Sequence, residues 1–370
     1  MHWAQLSQVA GDVLEAIHST ASGEDLPATA FNTLALRLAN AQKEVNPVLA
    51  AFYERLPARA WNSWREIPPI SVAAFKETEM TCIPPAERTH VFYSSGTTSQ
   101  SRSRHWHHQA SLQLYVEALK LWFARHVLAG SGANPPSQWL LVSLTPPPAQ
   151  APHSSLVYML ATAMGAFGLP ESCFLGHSNA DGNWVLDLPK TTSALESLSR
   201  LGPPLVLLGT AFNFVHLLDY LAGESRQLPL PPGSRLMETG GYKGRSRDVP
   251  PDELHAALQY LFAVPPTAIV REYGMCELSS QAYDRIALQP AAPARFRFPP
   301  WVRFRIVSPE TGIDCPPGVP GLLCIYDLAN VWSVMAIQTA DLAVGHEDGF
   351  ELLGRAPLAE PRGCSLMVNE

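Results

Sequence analysis

The chain has 370 residues, 46% apolar and 16% charged, and its 26 lysines and arginines stand against 33 aspartates and glutamates for a formal net charge of −7. The length exceeds the ~100–150 residues of an ordinary single domain, leaving room for two sub-domains, and the apolar content excludes a disordered chain. The acidic balance gives no overall field to gather a polyanion, so nucleic-acid coating and adhesion to an anionic membrane are not expected, while a local cationic site stays compatible with it.

The opening segment 1–17 lacks a basic leader and carries Asp12 and Glu15 within its apolar pattern, unlike a signal peptide. The most apolar stretch, 156–169, is shorter than the ~20 residues of a membrane span. The six cysteines never form CxxC, and no Cys/His spacing suits zinc, so free thiols in a reducing compartment follow. A soluble, cytoplasmic protein is expected. The 34 prolines fall in scattered pairs and triplets and read as stiff loops.

In chain order, Trp3, Leu6, Val9, Val13 and Ile17 recur at three-to-four spacing and predict a first helix. A second amphipathic run extends from Phe31 to Phe52, where Pro47 should kink it. These helices read as a packing cap over residues 1–66, and no active-site residue is expected before about residue 90. A short strand, Val91-Phe92-Tyr93, runs into SSGTTSQSRSRH, followed by a helix whose buried stripe is Leu112, Tyr115, Val116, Leu119, Trp122, Phe123 and Val127. From 138 to 300, apolar runs such as 139–144 and 204–208 alternate with helical stretches such as 153–164 and 251–262, which predicts an α/β core over 67–300. From Trp301 the pattern becomes four β-like segments separated by turns, a small β sub-domain with its tail over 301–370.

The chemistry begins at Ser94, Ser95, Gly96, Thr97, Thr98 and Ser99. A glycine among hydroxyl residues lets successive backbone N–H groups point at one anion, and the hydroxyls add further donors. Strand, small-residue loop and helix in that order suit a phosphate cradle. It is not a Walker A loop, because Gly-Lys-Ser/Thr is missing and the flanking cations are Arg102 and Arg104.

SSGTTSQSRSRH resembles the phosphate-binding signature of the adenylate-forming superfamily, which comprises acyl-CoA synthetases, luciferases and peptide-synthetase adenylation domains. Glu272-Tyr273-Gly274-Met275-Cys276-Glu277 resembles its Tyr-Gly-x-x-Glu signature, Thr339-Ala340-Asp341 its Thr-Gly-Asp signature, and Gly354-Arg355 the Gly-Arg that follows. ETGGYKGR from Glu238, EYGMCELSSQAYD from Glu272, DLAN from Asp327 and RGCSL from Arg362 are similar to the short branch of bioluminescence acyl-protein synthetases, the LuxE family, and to the phenazine-biosynthesis protein EhpF. The resemblance covers roughly residues 65 to 370.

It implies the α/β fold of the large N-terminal adenylate-forming domain with a small C-terminal β sub-domain, and the use of ATP and Mg²⁺ to activate a carboxylic acid, fatty or aromatic. Ser94 to Ser99 are then the phosphate loop, and Glu277 is the Mg²⁺ ligand, direct or through water. Asp341 is the ribose acceptor, and Arg355 is a donor to ribose or phosphate. Gly240 and Gly241 give a flat backbone beside adenine; Tyr273, followed by Gly274, stacks on the base or lies near the α-phosphate. His153 is either a loop histidine or lies beside the acyl pocket, and Lys243 is either a surface lysine or part of the site.

Two departures stand out. Ala340 replaces the glycine of the Thr-Gly-Asp signature. Larger relatives carry a mobile C-terminal lid domain with a reactive-site lysine, whereas this sequence ends at Glu370 with no lysine beyond Lys243, so the expected fold lacks the lid. Lys243, Arg245, an arginine near the loop or a partner then takes that lysine's place. Cys364 aligns with the cysteine that acyl-protein synthetases acylate before an acyl reductase or carrier partner receives the group. Two alternatives remain open at this stage: adenylation of an aromatic acid such as a phenazine acid without a cysteine intermediate, and a non-catalytic nucleotide-binding subunit of a reductase complex.

Overall fold

A computed structural model describes residues 2–21, 24–57, 59–94, 102–129, 138–240, 247, 249–289 and 294–356. The first periodic segment forms the helix His2–Ser19, with Leu6, Val9, Val13 and Ile17 fully buried on one face. The second run is broken rather than kinked. The helix Ala28–Val45 stops at Asn46, whose side-chain oxygen accepts from the Val48 and Leu49 amides and starts a new helix, Pro47–Glu54. Proline at the first helical position loses no hydrogen bond there, so Asn-Pro restarts the chain in a new direction.

The hydroxyl-rich loop does not lead straight into a helix. The strand His90–Tyr93 pairs antiparallel with Arg104–His107, so the residues between them join a hairpin, and the helix Gln109–Phe123 starts only after the second strand, capped by His108 and Ser111. The second strand is hard to recognise from sequence because histidines 105 and 107 fill its buried positions. The helix stripe includes Tyr115, Leu119 and Phe123 as expected, and continues into a π-helical turn, Ala124–Leu128, that buries Val127.

A six-stranded sheet forms the α/β core. Ile269–Tyr273, Arg235–Thr239, Leu205–Thr210, Leu140–Ser143 and Cys173–Phe174 lie side by side in that order and all run parallel, and Ala282–Tyr283 adds an antiparallel edge. Helices cover both faces, which explains the continuous apolar runs of Leu140–Ser143 and Leu205–Thr210. The four C-terminal β-like segments form Val302–Val307, Pro320–Asp327, Ala336–His346 and Gly349–Arg355, joined antiparallel. Ile70–Ser71 adds parallel to Ala336–His346, so that segment sits with the C-terminal sheet. The helical front shares a single hydrophobic cluster with this sheet, from Leu6 and Phe31 to Tyr326, Ile337 and Phe350. Among the described residues no helix is long and apolar enough to cross a membrane.

Candidate active site

Ligands in open parallel α/β sheets gather at the carboxyl ends of the strands, where backbone amides and loop side chains converge. Two of the signatures leave adjacent strands there. Arg235–Thr239 ends at Gly240, and Ile269–Tyr273 ends at Gly274, with Thr239 opposite Glu272 in register. A side chain on Gly240 would meet open space, whereas a Cβ on Gly274 would lie 2.4 Å from Glu272 Oε1. A side chain at 274 would therefore have to displace the Glu272 carboxyl. Glu272 accepts from the Thr239 hydroxyl, and burial raises its pKa to about 7. Glu238, which opens the ETGGYKGR signature, is engaged by Arg271, whose Nε donates to Oε1 at 3.1 Å.

Tyr273 brings the core to the C-terminal sheet. Its hydroxyl donates to Asp341 Oδ2 at 2.8 Å, and its ring packs among Phe296, Phe298 and Phe350. The enclosed ring makes the hydroxyl the polar part of the side chain. Thr339 organises the acid: its hydroxyl donates to the Leu323 carbonyl and accepts from the Asp341 amide at 3.1 Å. Asp341 and Arg355 are register partners across adjacent strands, and Arg355 Nε lies 3.7 Å from Asp341 Oδ1 with its side chain 81% exposed. Alanine at 340 leaves this arrangement intact, since the acid is positioned by the strand and by Thr339.

Glu277 sits on the turn after Gly274, only 4% exposed. The turn is held through its backbone. His105 Nδ1 donates to the Cys276 carbonyl at 2.8 Å, and Asn330 Nδ2 donates to the Glu277 carbonyl at 2.9 Å. Asp327 accepts from the Ser279 amide at 3.0 Å and from the Ser280 hydroxyl at 2.8 Å. DLAN is thus the brace of the Glu277 turn. The Glu277 carboxylate itself takes no hydrogen bond or ion pair from any described residue. A buried carboxylate so left is a fitting seat for Mg²⁺, which takes one or two carboxylates and draws its other oxygens from phosphate and water. Among the described residues no group of three or more His, Cys, Asp or Glu is placed to hold a metal.

Ser94 closes the neck of the hairpin, its hydroxyl accepting from the Ser103 amide at 3.0 Å. His153 lies beside the preceding strand: the Tyr93 amide donates to its carbonyl at 2.9 Å, its Nδ1 meets the Val91 carbonyl at 3.1 Å, and its ring stands 4.9 Å from that of Tyr93. Because His105 comes from the second strand of the hairpin, Ser94, His153 and the Glu277 turn are linked by this scaffold. Ser95, Gly96, Thr97, Thr98, Ser99, Gly241, Lys243 and Cys364 lie outside the described residues.

Sequence reading passed over two participants in this scaffold. His105 stands in the sequence only as the last letter of SSGTTSQSRSRH, with no role of its own. Gln42 occupies a core-facing position of Ala28–Val45 and is 1% exposed. The available signal was a polar residue recurring in step with Phe31, Ala35 and Leu38 on an otherwise apolar stripe.

A family match over residues 62–370 on this fold makes the chain an adenylate-forming enzyme, an ATP-dependent carboxylate ligase. The model of the acyl-protein synthetase family LuxE matches residues 62–370, and the chain belongs to that family. Among solved structures it is similar to 2-hydroxyisobutyryl-CoA ligase in an open conformation with 2-HIB-AMP and CoA, at TM-score 0.62 and 15% identity over 90% of this chain and 76% of that one. The same ligase in its thioesterification state matches at TM-score 0.62 and 14% identity, over 87% of this chain and 65% of that one. No curated protein sequence matches significantly.

Proposed function

We propose that the protein converts a carboxylic acid and ATP to an acyl adenylate and pyrophosphate, then transfers the acyl group to Cys364, from which a reductase partner takes it. The observation that carries this reading is the meeting of Tyr273 and Asp341 beside a buried carboxylate, Glu277, to which no described residue is bonded. Family membership and the acyl adenylate bound in the similar ligase support it.

In the first step a carboxylate oxygen attacks the α-phosphorus and the bond to the bridging β-oxygen breaks, so pyrophosphate leaves with its electron pair. Two anions must approach, and the site has to hold both and offset their repulsion. Ser94 and the following Ser95–Ser99 supply donors for the β- and γ-phosphates. Glu277 would hold Mg²⁺, which when bound neutralises phosphate charge. Asp341 accepts from the ribose, Arg355 donates to ribose or phosphate, and Gly240 and Gly241 let the backbone lie against adenine. The Tyr273 hydroxyl, already on Asp341, lies near the α-phosphate, and His153 borders the acyl group. Lys243, Arg245, an arginine near the loop or a partner would supply the cation for the reacting carboxylate. In the second step the Cys364 thiolate attacks the acyl carbonyl, a C–S bond forms, and AMP departs as the C–O bond breaks. A thiolate suits this step because it is a far stronger nucleophile than a hydroxyl without a base.

The two steps are separable at one atom. Cys364→Ser is expected to retain pyrophosphate–ATP exchange and lose hydroxylamine-labile labelling by radioactive acid. Wild-type protein that supports exchange yet never becomes labelled contradicts the transfer step, and labelling that survives in the variant moves the acceptor to another thiol, Cys276 first.

A further inference from the structure

The helical front contributes to the turn that carries Glu277. Gln42 Nε2 donates to the Asn330 carbonyl at 2.7 Å and to the Val331 carbonyl at 3.0 Å, and its Oε1 accepts from the Met335 amide at 3.1 Å. Asn330 passes the contact on: Nδ2 donates to the Glu277 carbonyl at 2.9 Å and to the Val334 carbonyl at 3.1 Å, while Oδ1 accepts from the Ser279 hydroxyl at 2.6 Å. Gln42, Asn330, Ser279 and Glu277 are all buried. A helix that served only as packing would fill position 42 with an apolar side chain, as it does at Phe31 and Leu38, because an amide taken out of water is stabilising only where its partners are fixed. Here every polar atom of the amide has a partner on one loop, 330–335, and that loop braces the Glu277 turn.

From this chain of contacts we infer that Gln42 is a positioning residue for the adenylation site, acting through Asn330 on Glu277. The inference rests on the role proposed for Glu277. An active-site carboxylate displaced by a fraction of an ångström loses much of its effect, so loosening the brace slows the reaction without touching a substrate contact.

The test compares Gln42→Met, which keeps the shape and removes the amide, with Leu38→Ala, which opens a cavity on the same helix and lowers stability without touching the brace. Amide hydrogen exchange of the metal-free proteins across 275–281 is expected to quicken in Gln42→Met and remain at the wild-type rate in Leu38→Ala. At a temperature where both are folded, kcat for pyrophosphate exchange is expected to fall roughly tenfold or more in Gln42→Met with KM for the acid unchanged, and to hold in Leu38→Ala. Gln42→Asn, which draws the amide back by one methylene, is read the same way should the methionine variant not fold. Unchanged protection across 275–281, or kinetic parameters indistinguishable from those of Leu38→Ala, overturns the inference. Failure of the Glu277 reading shows separately, as undiminished exchange in Glu277→Gln while Gln42 still controls protection of the turn.

Discussion

The Tyr273 hydroxyl and the Asp341 carboxylate, 68 positions apart, meet at 2.8 Å and join the end of the parallel sheet to the C-terminal sheet. Burial, reinforced by the adjacent Asp341 charge, raises the Tyr273 pKa well above its ordinary value, so the phenol stays a donor throughout the neutral range. The two signatures are thereby held in one arrangement before a nucleotide arrives. Asp341 keeps Oδ1 for other donors, with Arg355 the nearest cation across the strand pair.

If Asp341 accepts from the ribose, Asp341→Ala removes a charged partner, and charged hydrogen bonds contribute about 1.5–3 kcal/mol each. ATP should then bind at least roughly tenfold more weakly by calorimetry, since ~1.4 kcal/mol is a factor of ten. Tyr273→Phe deletes the bond that holds Asp341 in place but leaves its charge, and should weaken ATP binding by less than Asp341→Ala does. Unchanged affinity in Asp341→Ala places the ribose elsewhere.

The order of the four signatures made the site's ends legible from the letters, and the C-terminal strands followed from their alternation and from turn residues such as Gly312, whose φ of 68° suits glycine. The hairpin was not legible, because Arg104–His107 buries histidines where an apolar alternation would have marked a strand. At Asn46-Pro47 proline alone does not tell a kink from a new N-terminus; the asparagine before it, which caps the new helix, does. The braces at Asn330 and Gln42 were invisible for a different reason. They join residues 53 and 288 positions apart, and only the tertiary fold brings such partners together.

Glu272 makes stability depend on pH. Burial raises its folded pKa from 4.5 to about 7, so the folded state holds a proton that the unfolded chain releases between those values. Its contribution is fully present below pH 4.5 and is lost as pH rises through about 7. His105, lowered by burial to about 4, acts in the opposite direction: its contribution is present above pH 6.5 and lost as pH falls through 4. Glu272→Gln should therefore be more stable relative to wild type at pH 8 than at pH 5, by on the order of 3 kcal/mol if the glutamine keeps the Thr239 contact. Urea melts of both proteins at the two pH values measure the difference, and an equal gap at both contradicts a protonated Glu272.

In the proposed reaction Glu277 would seat the metal of a carboxylate-dependent adenylation. Pyrophosphate–ATP exchange across a panel of fatty and aryl acids, with and without Mg²⁺, compares the wild type with Glu277→Gln, which keeps the side-chain shape and removes the charge. Exchange is expected to require both acid and Mg²⁺ in the wild type and to fall to background in the variant, with unchanged melting. Exchange near the wild-type rate in Glu277→Gln, or none with any acid in the wild type, contradicts it.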